Sequence, residues 1–136
     1  MLSIAIATAL ISSTPHSLPK LGGVVVDSWE ITTDPAGWFV APSCITPTAD
    51  GIYKVSTRVV FMGPGNSLTL AIRKKGAFKT QTIGQAFSAP RPTGATHVVL
   101  TIQTMVAAGE CLFVVASANG GGTAYPRHFG VTQEVP

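Results

Sequence analysis

The chain has 136 residues, 46% of them hydrophobic, with nine basic and six acidic side chains for a net charge of +3. That length makes one domain with room for a real core, and so mild and scattered a basic excess does not by itself argue for a nucleic-acid binder. Charged residues are only 11% of the chain against about 25% in an ordinary soluble domain, so much of the surface must be uncharged, which points to cover by another chain.

The first stretch, "MLSIAIATALISSTPHS", is apolar but has no Lys or Arg before Lys20. A secretory leader would carry a positive n-region there. Ile4, Ile6 and Thr8 alternate with Ala5, Ala7 and Ala9, which is the period of a strand. Residues 1–16 are therefore read as an N-terminal arm or first strand, with Leu2, Ile4, Ile6, Leu10 and Ile11 as its docking residues. Residues 17–136 form the domain proper.

Proline and glycine then cut the chain into short segments. "GGVVVDSWEIT", "GWFVAPS", "GIYKVSTRVVF", "SLTLAIRKK" and "FKTQTIG" are followed by the long run 98–118 and by "HFGVTQEV". The breakers between them are "SLPKLGG", "DPAG", "TPTADG", "MGPGN", "SAPRPTG" and "ANGGG". Eight or nine strands with turn signals roughly every 8–12 residues predict an all-β sandwich or barrel. No segment suits a crossover helix, so the sheets should be antiparallel. In "GIYKVSTRVVF", Tyr53, Val55, Thr57, Val59 and Phe61 share one face; Lys54, Ser56 and Arg58 share the other, which reads as solvated.

The run "VVLTIQTMVAAGECLFVVASA" carries a single charge, Glu110. Its length suits a membrane span, but Thr101, Gln103, Thr104 and the Gly109-Glu110 break argue for two strands joined through "VAAGE". One face of each strand belongs in the core. The other presents Val99, Thr101, Gln103 and Met105, then Phe113 and Val115, as an uncharged surface for a neighbouring subunit.

Candidate chemistry is sparse. His16, His97 and His128 have no metal-ligand spacing between them, and Asp27, Glu30 and Asp34 do not match a calcium loop. No G-x-S-x-G marks a nucleophile. "NGGGTAY" reads as a flexible loop, because Pro126 forbids the helix that a phosphate loop needs. Cys44 and Cys111 read as a buried pair of free thiols, with a single disulfide as the alternative. Arg73, Lys74 and Lys75, with Lys79, form one basic turn, read as a solvated tip or a contact with an acidic protein or glycan. No catalytic site, metal, cofactor, nucleic acid or membrane is expected.

The order of these pieces resembles the C1q/TNF-like jelly-roll domain, closest to versions in bacteriophage virion proteins. The likeness runs over about residues 17–135. It rests on Gly51, Tyr53, Val55 and Ser56 entering a central strand, on the turn Lys74-Lys75-Gly76, and on Ala108-Gly109-Glu110 before an apolar strand. Glu110 stands where the family usually has Asp, and "SCITPT" lengthens the loop before Gly51. The resemblance implies an antiparallel jelly-roll sandwich assembling as a homotrimer. It further implies a structural role at the virion surface: a capsid decoration (cement) protein whose arm docks on the major capsid protein. The alternatives are a receptor-binding fibre tip gripping host glycan through loops near Pro64-Gly65-Asn66 and residues 119–125, or a secreted C1q/TNF-like ligand. An enzyme is not expected.

Overall fold

The structure, a computed structural model, describes residues 4–64, 66–89 and 94–135. Leu2 of the expected docking set, Gly65 of the expected receptor loop and residues 90–93 of the "SAPRPTG" breaker lie outside them. The described residues hold twelve strands and no helix. They are β1 (Ile4–Ile11), β2 (His16–Leu18), β3 (Gly23–Val25), β4 (Glu30–Thr33), β5 (Phe39–Val40) and β6 (Cys44–Ile45), then the longer β7 (Gly51–Met62), β8 (Ser67–Lys75), β9 (Thr80–Ser88), β10 (Thr96–Val106), β11 (Cys111–Asn119) and β12 (Gly122–Val135).

Two antiparallel sheets result. Sheet A runs β10-β7-β12-β1-β4, with β2 also on β12; sheet B runs β5-β6-β11-β8-β9, with β3 also on β11. The alternation in β7 holds: Tyr53, Val55, Thr57, Val59 and Phe61 are buried. They meet Leu70, Ile72, Leu112 and Val114 of sheet B in one core. Two aromatic pairs lie within it. Trp38 packs edge-on against Tyr53 with ring centres 5.6 Å apart, and Trp29 is tilted against Phe129 at the same distance. Such contacts add about 0.5–1.5 kcal/mol each to what burial alone gives. At one edge the sheets nearly touch: a Cβ on Gly84 of β9 would come within 2.7 Å of Ile102 Cγ2 in β10.

Several expectations need correction. β10 and β11 are two strands joined through "VAAGE" as expected, but they lie in different sheets and so cannot share one surface. β10 pairs with β7, whereas β11 pairs with β8, β6 and β3. The turn between them therefore passes from one sheet to the other. Glu110 Oε1 accepts from the Ala107 N–H at 2.6 Å, and Asp50 Oδ1 accepts from the Ala108 N–H at 2.8 Å. Cys44 and Cys111 are not free thiols but a disulfide, with Cα atoms 5.4 Å apart, brought together because β6 pairs with β11 at Ile45 and Leu112. "GGVVVDSWEIT" is two strands in different sheets, β3 on β11 and β4 on β1. Val26 and Trp29 turn into the core between them. Most of "NGGGTAY" is no loop, since Gly122 to Ala124 pair with β2 and Thr123 to Tyr125 with β7. Gly122 (φ +141°) permits this close approach: a Cβ there would lie 2.7 Å from the Met62 carbonyl oxygen. A bulge at Pro126/His128 absorbs the missing proline N–H.

Residues 4–11 are a strand of sheet A, held between β12 and β4. Leu10 is fully buried and Ile6 packs on the core. Leu10 and Ile6 are therefore not free to dock, because these side chains already have partners within the chain, whereas Ile11 is half exposed. Ile4 pairs at the backbone with Val135.

Candidate functional site

The outer face of sheet A can be read row by row from the strand register. Met105 stands beside Ile52. The next row is Gln103, Lys54, Thr132 and Ala7; the next is Thr101, Ser56, Gly130 and Ala9; and the next is Val99, Arg58, His128 and Ile11. Met105 (66% exposed), Val99 (60%), Ile52 (52%) and Ile11 (50%) leave large apolar side chains in water. Small residues occupy the middle, because Ser56, Gly130 and Ala9 lie side by side. Four residues of the expected subunit contact, Val99, Thr101, Gln103 and Met105, therefore lie together as the alternation implied. The other two do not. Phe113 and Val115 belong to sheet B, on the opposite side of the sandwich, and Phe113 is buried within its own chain at 9% exposure. One surface made of all six is corrected to a surface made of sheet A alone.

Within this face a depression of about 520 Å³ is lined by Ser56, Arg58, Val99, Thr101, Arg127 and His128. The β12 bulge brings both Arg127 and His128 to it, and the Thr57 hydroxyl donates to the His128 carbonyl at 2.8 Å. His128 Nε2 sits 3.2 Å from Ser56 Oγ. A Cβ on Gly130 would fall within 2.9 Å of that nitrogen, so only glycine leaves the imidazole room. Burial, and then the Arg58 charge, hold the His128 pKa below its ordinary 6.5. Arg127 lies over the Tyr125 ring at 5.8 Å. Among the described residues neither Arg58 nor Arg127 has an ion-pair partner. Arg58 and Ser56 were visible in the β7 alternation but read as a solvated face. Arg127 and His128 follow a stretch that reads as loop, so no sequence signal placed them here.

The basic turn is divided. Lys74 Nζ lies 3.5 Å from Glu110 Oε1 and donates to the Met105 carbonyl at 3.2 Å. Arg73 lies along β8 opposite Phe113, with a buried Nε that has no hydrogen-bond partner. Lys75 and Lys79 alone flank the β8–β9 turn, where Phe78 is fully exposed. Two of the three scattered acids have internal partners: Asp27 meets His16 Nε2 at 3.0 Å, and Asp34 receives the Thr8 hydroxyl and the Trp38 and Phe39 N–H groups. His16 Nδ1 faces the Thr14 carbonyl, so both ring nitrogens are engaged and neither faces a serine. No cluster of metal-ligand residues occurs among the described residues.

No protein-family model matches the sequence, and no curated protein does. Solved structures do. The fold is that of TNF- and C1q-like jelly rolls. Murine APRIL at pH 5.0 superposes with a TM-score of 0.78 at 12% identity, covering 96% of this chain and 99% of that one. Eiger TNF from S. frugiperda gives 0.74 at 14% identity, covering 97% and 93%. The globular domain of zebrafish complement 1qA gives 0.64 at 12% identity, covering 96% and 95%.

Proposed function

We propose that the chain is a structural protein of a bacteriophage particle, a trimeric capsid decoration protein that uses the outer face of sheet A as its threefold interface. One observation carries the reading: that face is broad and lined with half-exposed Met105, Val99, Ile52 and Ile11 around a small-residue centre. Fully burying one such side chain is worth about 1.5–3 kcal/mol, and a threefold repeat multiplies the gain. The location rests on the resemblance of its short motifs to those of phage virion domains. The Cys44–Cys111 disulfide suits an oxidised exterior such as a virion surface.

With β1 held inside sheet A, docking on the major capsid protein falls to another element. The β8–β9 hairpin tip suits it, because Phe78 stands wholly in water between Lys75 and Lys79. The same tip favours the second reading, a receptor-binding fibre tip, since an exposed aromatic beside cations also fits a host glycan. A secreted ligand cut before Leu18 would lose β1 and most of β2. Co-sedimentation with undecorated shells tests the choice: the protein should pellet with shells, and Phe78→Ser should abolish this. Binding to host cells with indifference to shells would move the protein to the fibre.

A further inference from the structure

Among the described side chains on the outer face of sheet A, charge is scarce and the two signs lie apart. Arg58, Arg127 and His128 surround the depression. The acid in the same row is Glu30, paired with Ile11 at the β1–β4 edge. Strands stand about 4.8 Å apart, so β4 is roughly 14 Å from β7. Among the described side chains of this face, Arg58, Arg127 and Lys54 stand against Glu30. Of these, a Glu30 that reached a neighbour's arginine would still leave one guanidinium per subunit to find its counter-charge elsewhere. An unpaired buried charge is among the costliest features an interface can hold.

We infer that the basin binds a free oxyanion, such as phosphate, sulfate or a small carboxylate, between the guanidiniums of Arg58 and Arg127. Arginine presents a planar fork of N–H donors that matches two oxygens at once. Ser56 and Thr101 add hydroxyls at the floor and side. With its proton on Nε2, His128 donates to Ser56 Oγ, which leaves the serine O–H free to donate to the anion. Thr57 takes no part, because its hydroxyl is committed to the His128 carbonyl. The depression lies within one chain, but the inference rests on the trimer reading for its consequence: across a threefold interface the anion is enclosed, and its binding stabilises the assembly.

The experiment is a thermal melt of the full chain in which inorganic phosphate replaces chloride at constant ionic strength, with light scattering on the same samples. The melting point should rise with phosphate and saturate. Arg58→Gln and Arg127→Gln, both solvent-facing substitutions, should each weaken the response about tenfold or more, the loss of a charge-assisted hydrogen bond. Lys79→Gln at the hairpin tip should leave it unchanged. A wild type indifferent to phosphate overturns the site, as does an equal rise in the Arg58→Gln/Arg127→Gln double variant, which would be general salt exclusion. So does a phosphate-indifferent trimer that Glu30→Gln weakens as much as Arg58→Gln, for then the neighbour's carboxylate fills the basin. A saturable response in a chain that scatters as a monomer sinks the trimer and keeps the site; a phosphate-indifferent trimer does the reverse.

Discussion

Asp34 ties three parts of the fold with one carboxylate. Oδ1 accepts from the Thr8 hydroxyl at 2.7 Å and the Trp38 N–H at 2.8 Å, and Oδ2 accepts from the Phe39 N–H at 3.1 Å. Partial burial raises its pKa, but these donors together outweigh that and leave it below the ordinary 3.8. The unfolded chain therefore binds this proton at higher pH than the folded one. The stabilisation is full above about pH 3.8 and lost as pH falls through the depressed folded value. Asp34→Asn should flatten that acid limb in denaturant titrations, and Asp34→Ala should cost about 1–3 kcal/mol by stranding the two N–H groups. His128 acts in a separate window. Burial and Arg58 lower its pKa, so stability should be full above about pH 6.5 and fall as pH drops toward the folded value. His128→Gln should remove this slope and leave the Asp34 limb, which proton-linked unfolding between pH 7 and 3 can resolve.

Strand existence was legible in the sequence, whereas strand partners were not. The alternation of Tyr53, Val55, Thr57 and Val59 fixes which face of β7 is buried, because the side-chain period of a strand is two. The same rule correctly turned Val99, Thr101, Gln103 and Met105 outward. It could not tell that β11 joins the other sheet. "VAAGE" reads only as the join between two strands, and the deciding contacts are long-range pairings with β7 and β8. The disulfide was hidden for the same reason. Its cysteines are 67 residues apart and meet only once β6 lies on β11. That separation gives the crosslink leverage: loop-closure entropy puts its contribution at about 4 kcal/mol. Reduction, or Cys44→Ser with Cys111→Ser, should lower the denaturant midpoint by an amount of that order. An unchanged midpoint would mean that the short strands β5 and β6 hold without it. The first strand gives a parallel expectation. Deleting residues 1–11 removes Leu10 from the core and strips one partner from each of β12 and β4. The truncated chain should fail to give a cooperative melt.

At the scale of the molecule, the division into two sheets converts a chain poor in charge into a particle with two unlike sides. Phe113 was expected to share an interface with Val99, and the sheet assignment now gives the two positions opposite roles. Phe113 is packed within the chain, so Phe113→Arg should damage folding itself by roughly 3 kcal/mol or more through lost packing and a buried charge. Val99 is 60% exposed in the single chain, so Val99→Arg should leave the fold intact and cost the assembly alone. Met105→Arg, six residues further along the same strand and just as open, should do the same. Light scattering of the wild type should give roughly 42 kDa at micromolar concentration, the mass of three 14.1 kDa chains. Val99→Arg and Met105→Arg should give folded monomers whose circular dichroism matches the wild type. If both variants remain trimeric, the contact lies elsewhere; Phe87→Arg, on the β9 edge strand where Phe87 is 70% exposed, then becomes the substitution expected to release monomers, and sheet A would face solvent or the shell instead.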